Sequence, residues 1–210
     1  MNTETRRRTV SCRCGKRIYT VTDIDLGRSQ YLGLYPSEMS VRFLSYYSTV
    51  DDYAIRDIGW QLKDKLKGKG DRKKAAVALS MVMQNTEYAT DESRFGKDLW
   101  ELPVLSLGDG KADCDGRTGL FVALAYNMGL DVITVISGNH MFPAVNLDDG
   151  NGRYYEFENR RYYPLETAEH SIKDQKYSDP GDFIHMARPE MPTEKFKRTL
   201  SNSRPNTVRL

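Results

Sequence analysis

KADCDGRTGLFVALAYNMGLDVITVISGNHMFPAV, residues Lys111–Val145, decides the fold. A helix is expected from Asp113 or Cys114 to Met128. Leu120, Phe121, Leu124, Ala125 and Met128 recur at three- and four-residue steps, and Gly129 stands where a C-terminal cap belongs. The period then changes to two, so Asp131–Ser137 and Phe142–Leu147 read as strands. A helix of about 15 residues is roughly 22 Å long, and a returning strand spans about as much. A chain that leaves Cys114, descends the helix and returns along the strand therefore comes back to its start. His140 can face Cys114 there.

Working outward, Asp51 and Asp52 are expected to cap a helix through about Lys67, with Ile55, Ile58, Leu62 and Leu66 on its apolar face. Gly68-Lys69-Gly70 ends it. Asp71 is expected to cap a second helix that buries Ala75, Ala76, Leu79, Val82 and Met83. Residues 86–112, polar and Gly-rich around Trp100 and Pro103, read as a long loop. Beyond the opening stretch, Arg153–Glu158 and Arg161–Glu166 read as strands, with turns at 148–152 and 158–160. Helices followed by an antiparallel sheet make the fold class α+β. Residues 1–36 read as a basic N-terminal segment, either a small hairpin or a flexible arm. Residues 37–188 read as the domain proper, and 189–210 as a loose, Pro-rich, basic tail.

Composition removes several classes. The 210 residues are 39% hydrophobic, enough for a core. Lys plus Arg (31) nearly balance Asp plus Glu (29), so no general field favours nucleic acid, and Arg6-Arg7-Arg8 reads as solvated. No apolar run approaches the roughly 18–20 residues a membrane-spanning helix needs. The arginines at the N-terminus precede no apolar stretch, so no secretory signal is expected. Cys12, Cys14 and Cys114 are too few and too oddly spaced for a disulfide framework, which makes the cytoplasm the expected compartment. Cys12 and Cys14 supply only half of a structural zinc set, and Cys114, His140, His170 and His185 complete it poorly. No metal or cofactor is expected.

Cys114 carries the chemistry. It opens a helix, where unpaired backbone N–H groups and the helix dipole favour thiolate over thiol. Asp113 and Asp115 oppose that by adding negative charge, so a histidine partner is required. The plain alternative for a lone cysteine is core packing. His140 is the expected base, and a third group must orient it. Glu156, Glu158, Asn159 and Glu166 are within reach on the hairpin that follows, and spacing alone leaves all four open. The paired tyrosines (46–47, 154–155, 162–163) are explained by ordinary packing.

From about Asp51 to Thr167 the chain resembles the transglutaminase-like superfamily of papain-type cysteine enzymes. The resemblance lies in Ala112-Asp113-Cys114-Asp115-Gly116, in Gly138-Asn139-His140, and in Tyr162-Tyr163-Pro164-Leu165-Glu166-Thr167, with Trp100 and Pro103 in the approach to the cysteine. It implies Cys114 as nucleophile, His140 as general base and Glu166 as the orienting carboxylate. The family's aspartate is a glutamate here, and Asn139 separates a glycine and histidine that many relatives place side by side. The implied activity is hydrolysis of an amide or isopeptide bond in a peptide or protein, through a thioester. Transfer of the acyl group to an amine and a non-catalytic binding module are the alternatives. The Cys114 N–H is the expected first oxyanion donor. Trp100, through its indole N–H, is the candidate second donor, and Asp113 is a candidate substrate contact.

Overall fold

The structure, a computed structural model, describes residues 7–34, 41–97, 99–138, 140–168 and 184–201. A hairpin of β1 (Arg7–Cys14) and β2 (Arg17–Asp25) leads to α1 (Leu44–Tyr47), α2 (Tyr53–Lys65) and α3 (Asp71–Asn85). Four short elements follow: β3 (Glu87–Tyr88), α4 (Asp91–Phe95), α5 (Pro103–Asp109) and β4 (Lys111–Ala112). Then come α6 (Cys114–Asn127), β5 (Val132–Ser137), β6 (His140–Asn146), β7 (Tyr155–Phe157), β8 (Arg160–Pro164), β9 (Ile184–Ala187) and α7 (Glu194–Ser201). The last five strands form an antiparallel sheet in the order β7-β8-β6-β5-β9. The class is α+β, and no described helix is long and apolar enough to cross a membrane.

α6 is the centre of the molecule. It packs against α2, α3 and α5 on one side and β5 and β6 on the other, so even its polar residues Asp115, Arg117 and Thr118 are buried. Close approach demands small residues on it. A Cβ at Gly119 would stand 2.9 Å from the Tyr47 ring, and one at Gly116 would stand 2.7 Å from the Ser106 hydroxyl.

Local signals hold where they are chemical. The Asp52 carboxylate accepts from the Ala54 and Ile55 N–H groups and caps α2. Gly129 takes a positive φ after α6. Glu158 and Asn159, both at positive φ, turn β7 into β8, the backbone that suits a tight hairpin. Gly70, rather than Asp71, occupies the N-cap of α3, with Asp71 the first helical residue.

Three expectations need correction. Residues 86–112 are not one long loop. Thr90 caps α4, Pro103 opens α5, and Gly96 and Gly110 close them in left-handed conformation. These elements are simply too short to display a period. The segment 194–201 is not a loose tail, because Phe196 and Leu200, four residues apart, are buried and Phe196 packs at a tilt against Phe43 and Tyr46. Residues 202–210 lie outside the described residues, as does His170.

The N-terminal segment, finally, is a hairpin and not a flexible arm. Val10, Cys12, Tyr19 and Val21 join the same apolar core as α2, α3 and α6. Both hairpin edges are closed by glutamine amides acting as strands. Gln61 bonds the N–H and C=O of Thr22, and Gln84 those of Arg13, which blunts edges that would otherwise pair with another chain. Cys12 Sγ faces the Val77 carbonyl, and Cys14 Sγ lies 3.4 Å from Lys73 Nζ.

Candidate active site

The position of Cys114 follows from how β6 is left unpaired. Pro143 accepts from Leu165 N–H, so that edge of β6 faces β8, and by the two-residue strand period Met141 faces the same way. β8 ends at Pro164, so among the described residues no strand pairs with the Met141 peptide on that edge. α6 supplies the partner. The Met141 N–H points at the Cys114 sulfur, and the Thr118 hydroxyl donates to the Met141 carbonyl at 3.1 Å. Cys114 and Thr118 stand four apart on one helix face, so a single peptide, next to His140 in the chain, fixes the thiol against the sheet.

His140 opens β6 after the turn at Gly138, whose φ is +59°. Its ring stacks on Phe142, 5.6 Å centroid to centroid. Nε2 lies 3.4 Å from Glu166 Oε2. The other Glu166 oxygen accepts from the Ala168 N–H at 2.6 Å, which sets the carboxylate's direction. The extra methylene of glutamate is thereby accommodated. The remaining hairpin candidates go elsewhere: Glu158 pairs with Arg188, Asn159 sits in the turn, and Glu156 is exposed on β7 opposite Arg161.

The second turn of α6 ties these parts together through residues that the sequence reading did not single out. Arg117, 2% exposed, donates to the Thr167 carbonyl at 3.0 Å, the Thr86 carbonyl at 2.5 Å and the Thr86 hydroxyl at 3.1 Å. Thr118 meets the Thr167 hydroxyl at 3.2 Å. Since Thr118 spends its proton on Met141, Thr167 donates there. One helical turn below Cys114, two successive residues thus hold the neighbours of both His140 and Glu166. An arginine inside an apolar helical stretch was the available signal.

Behind the thiol the site is acidic and buried. Asp113 caps α6, its Oδ1 accepting from Asp115 N–H at 3.2 Å and Gly116 N–H at 3.4 Å. The amides that would stabilise a thiolate are therefore partly occupied by a carboxylate. Asp115 takes hydrogen bonds from the Tyr47 hydroxyl and the Glu101 N–H, and burial, then the Asp113 carboxyl beside it, pushes its own carboxyl well up. Glu101, fully buried, is gripped by both Arg94 nitrogens at 2.8 Å. Burial, with Asp115 and Asp113 adding to it, pushes the Cys114 thiol up to about 12, although the Met141 and Asp115 N–H groups pull against it. Donor atoms of Asp113, Cys114 and Asp115 lie within 4.8 Å of one another, a spacing that could hold a cation.

Trp100 packs edge-on against Tyr47 at 5.4 Å, next to the Glu101 peptide that bonds Asp115. Tyr88 was not singled out. β3 and β4 pair in parallel, Tyr88 opposite Ala112, and the Arg117 guanidinium lies 5.2 Å from the Tyr88 ring centre. A pairing of two dipeptides this short leaves no pattern in the sequence.

No family model and no curated protein sequence matches the chain. Among solved structures it is similar to Legionella pneumophila LapG, at 19% identity over 62% of this chain and 74% of that one, with a TM-score of 0.40. An EGTA-treated form of LapG aligns at 17% identity over 79% of this chain and 96% of its own, with a TM-score of 0.45. A Parabacteroides distasonis protein described as a protease candidate aligns at 12% identity over 69% of this chain and 34% of its own, with a TM-score of 0.39. At such scores a functional reading has to stand on this chain's own geometry.

Proposed function

We propose that the chain is a cysteine hydrolase of transglutaminase-like fold that opens amide or isopeptide bonds in a peptide or protein through a thioester. Cys114 is the nucleophile, His140 the general base and Glu166 the carboxylate that orients it. The observation that supports this best is the docking of α6 on the Met141 peptide, next in the chain to His140, whose Nε2 faces Glu166. With Nε2 turned to the carboxylate, Nδ1 is the nitrogen that takes the thiol proton.

The steps follow from those roles. As His140 draws the proton, Cys114 attacks the carbonyl carbon and the carbonyl electron pair moves to oxygen, facing the Cys114 N–H. Collapse expels the amine, which His140 protonates. Water, activated by the same imidazole, then releases the acid. Transfer to an amine instead of water would make the same site a transferase. A thiol held near 12 by burial and its acidic flank rests as thiol, so proton transfer accompanies attack rather than preceding it. Three free cysteines suit a reducing compartment, and the cytoplasm is the one proposed.

That acidic flank also favours a second reading, a binding module whose triad is idle. Iodoacetamide labelling at neutral pH, with the modified residue mapped, separates the two. The hydrolase requires Cys114 to react faster than a free thiol, and Cys114→Ala to abolish both labelling there and any amidase activity. A Cys114 that reacts no faster than free cysteine leaves the module.

A further inference from the structure

We propose that the Tyr88 hydroxyl is the side-chain donor of the oxyanion hole, completing the pair begun by the Cys114 N–H; this rests on the hydrolase reading above. Four observations point to it. β3 runs parallel to β4, with Tyr88 opposite Ala112 and the Ala89 N–H donating to the Ala112 carbonyl at 3.1 Å. Tyr88 is thereby anchored two residues ahead of the nucleophile in space. Its ring lies beside Arg117, one helical turn after Cys114. Arg117 in turn is held by Thr86 on the Tyr88 side and Thr167 on the Glu166 side, so the ring's position is tied to the same clamp that holds the triad. Burial first of all, then Cys114 and Asp113, pushes the phenol up to about 12 against the pull of Arg117, which keeps it protonated and able to donate.

A phenol in that place has a function the triad does not cover. When the sulfur attacks a carbonyl, negative charge develops on an oxygen beside the helix end. There the acidic flank opposes it, and the capping Asp113 carboxylate already takes two of the helix amides. A neutral O–H donor stabilises that oxygen without adding charge.

Two reagents separate this role from the others. p-Nitrophenyl acetate acylates the sulfur through a tetrahedral oxyanion: the S–C bond forms, the carbonyl pair moves to oxygen, and collapse expels p-nitrophenolate. Iodoacetamide alkylates it by direct displacement of iodide, with no oxyanion. Both rates are read at Cys114 by mass spectrometry on the full chain. Tyr88→Phe keeps the ring against Arg117 and removes only the donor. It should slow acylation roughly ten- to a hundredfold and leave alkylation within about twofold, with an unchanged melting temperature. Equal slowing of both reactions makes Tyr88 a packing residue and overturns the proposal, as do two unchanged rates. If Trp100→Phe produces the split and Tyr88→Phe does not, the indole is the donor and the proposal is again overturned. Failure of the hydrolase reading looks different: the unaltered chain then shows no enhanced reactivity at Cys114 toward either reagent.

Discussion

The two walls around Cys114 act on it in opposite senses. The helical wall, comprising the first turn of α6 and the segments behind it, is rich in buried acid: Asp91, Glu101, Asp113 and Asp115, with Arg94 as the cation in their midst. It raises the cost of a thiolate. The sheet wall offers the Met141 N–H, an imidazole and one carboxylate whose far oxygen is already bonded to Ala168. Its Met141 N–H lowers that cost, and the proposed base stands on the same side. The contrast teaches that a helix N-terminus does not by itself activate a cysteine. Once a carboxylate caps the helix, reactivity has to come from the opposite wall.

The strongest attempt to break that contrast removes the base. His140→Ala should lower the rate at which iodoacetamide modifies Cys114 at pH 7 by about 10²–10⁴-fold, the usual contribution of a positioned base. In the same variant only the helical wall and the Met141 N–H remain to set the thiol. With burial and the two aspartates holding Cys114 near 12, log rate should climb by about one unit per pH unit with no plateau up to pH 10. A plateau near neutrality in His140→Ala would mean that the helix end activates the sulfur after all.

Next in size is the joint between the walls. Arg117→Met keeps length and apolar stem but strands the Thr86 and Thr167 carbonyls, which are bonded to the buried guanidinium. The loss should be about 3 kcal/mol or more, a fall of roughly 6–12 °C in melting temperature for a chain of this size. Thr118→Val removes the hydroxyl that bonds Met141 and Thr167 and should cost about 1 kcal/mol or somewhat more. If neither variant melts lower, the two walls are held together by something other than this clamp.

The sequence disclosed the sheet wall better than the helical one, for physical reasons. β5, β6 and the β7–β8 turn write themselves in period-two apolar runs and in residues that tolerate positive φ, and the interval of helix plus strand carries the Met141 peptide, next to His140, back to Cys114. Of the four carboxylate or amide candidates on the hairpin, spacing could not choose, because Glu166 lies just past the end of β8, where strand register no longer applies. The helical wall was hidden by length and by a mistaken assumption. β3, α4, α5 and β4 are two to seven residues each, below any period. The apolar stripe of α6 makes it look one-sided, whereas sheet and helices enclose it almost all round, so Arg117 and Thr118, outside the stripe, are buried as well. The capping role of Asp113 was within reach, since an aspartate immediately before a helix is the common N-cap.

The smallest expected effect concerns the surplus acid of the helical wall. Burial pushes the Asp91 carboxyl up to about 7, with Asp113 and Glu101 adding to it and Arg94 and the Leu99 N–H pulling back. Its ordinary value is near 3.8, so between those two pH values the folded chain holds a proton there that the unfolded chain has lost. Stability from this group is therefore complete below about pH 4 and disappears as pH rises through about 7. Asn cannot ionise, and its carbonyl can still accept from Leu99 N–H. Asp91→Asn should melt at nearly the temperature of the unaltered chain at pH 4.5 and a few degrees above it at pH 8, the gap opening across that window. A gap that is the same at both pH values would show that Asp91 keeps its charge throughout, and that Arg94 balances the helical wall more fully than its position between Glu101 and Asp109 implies.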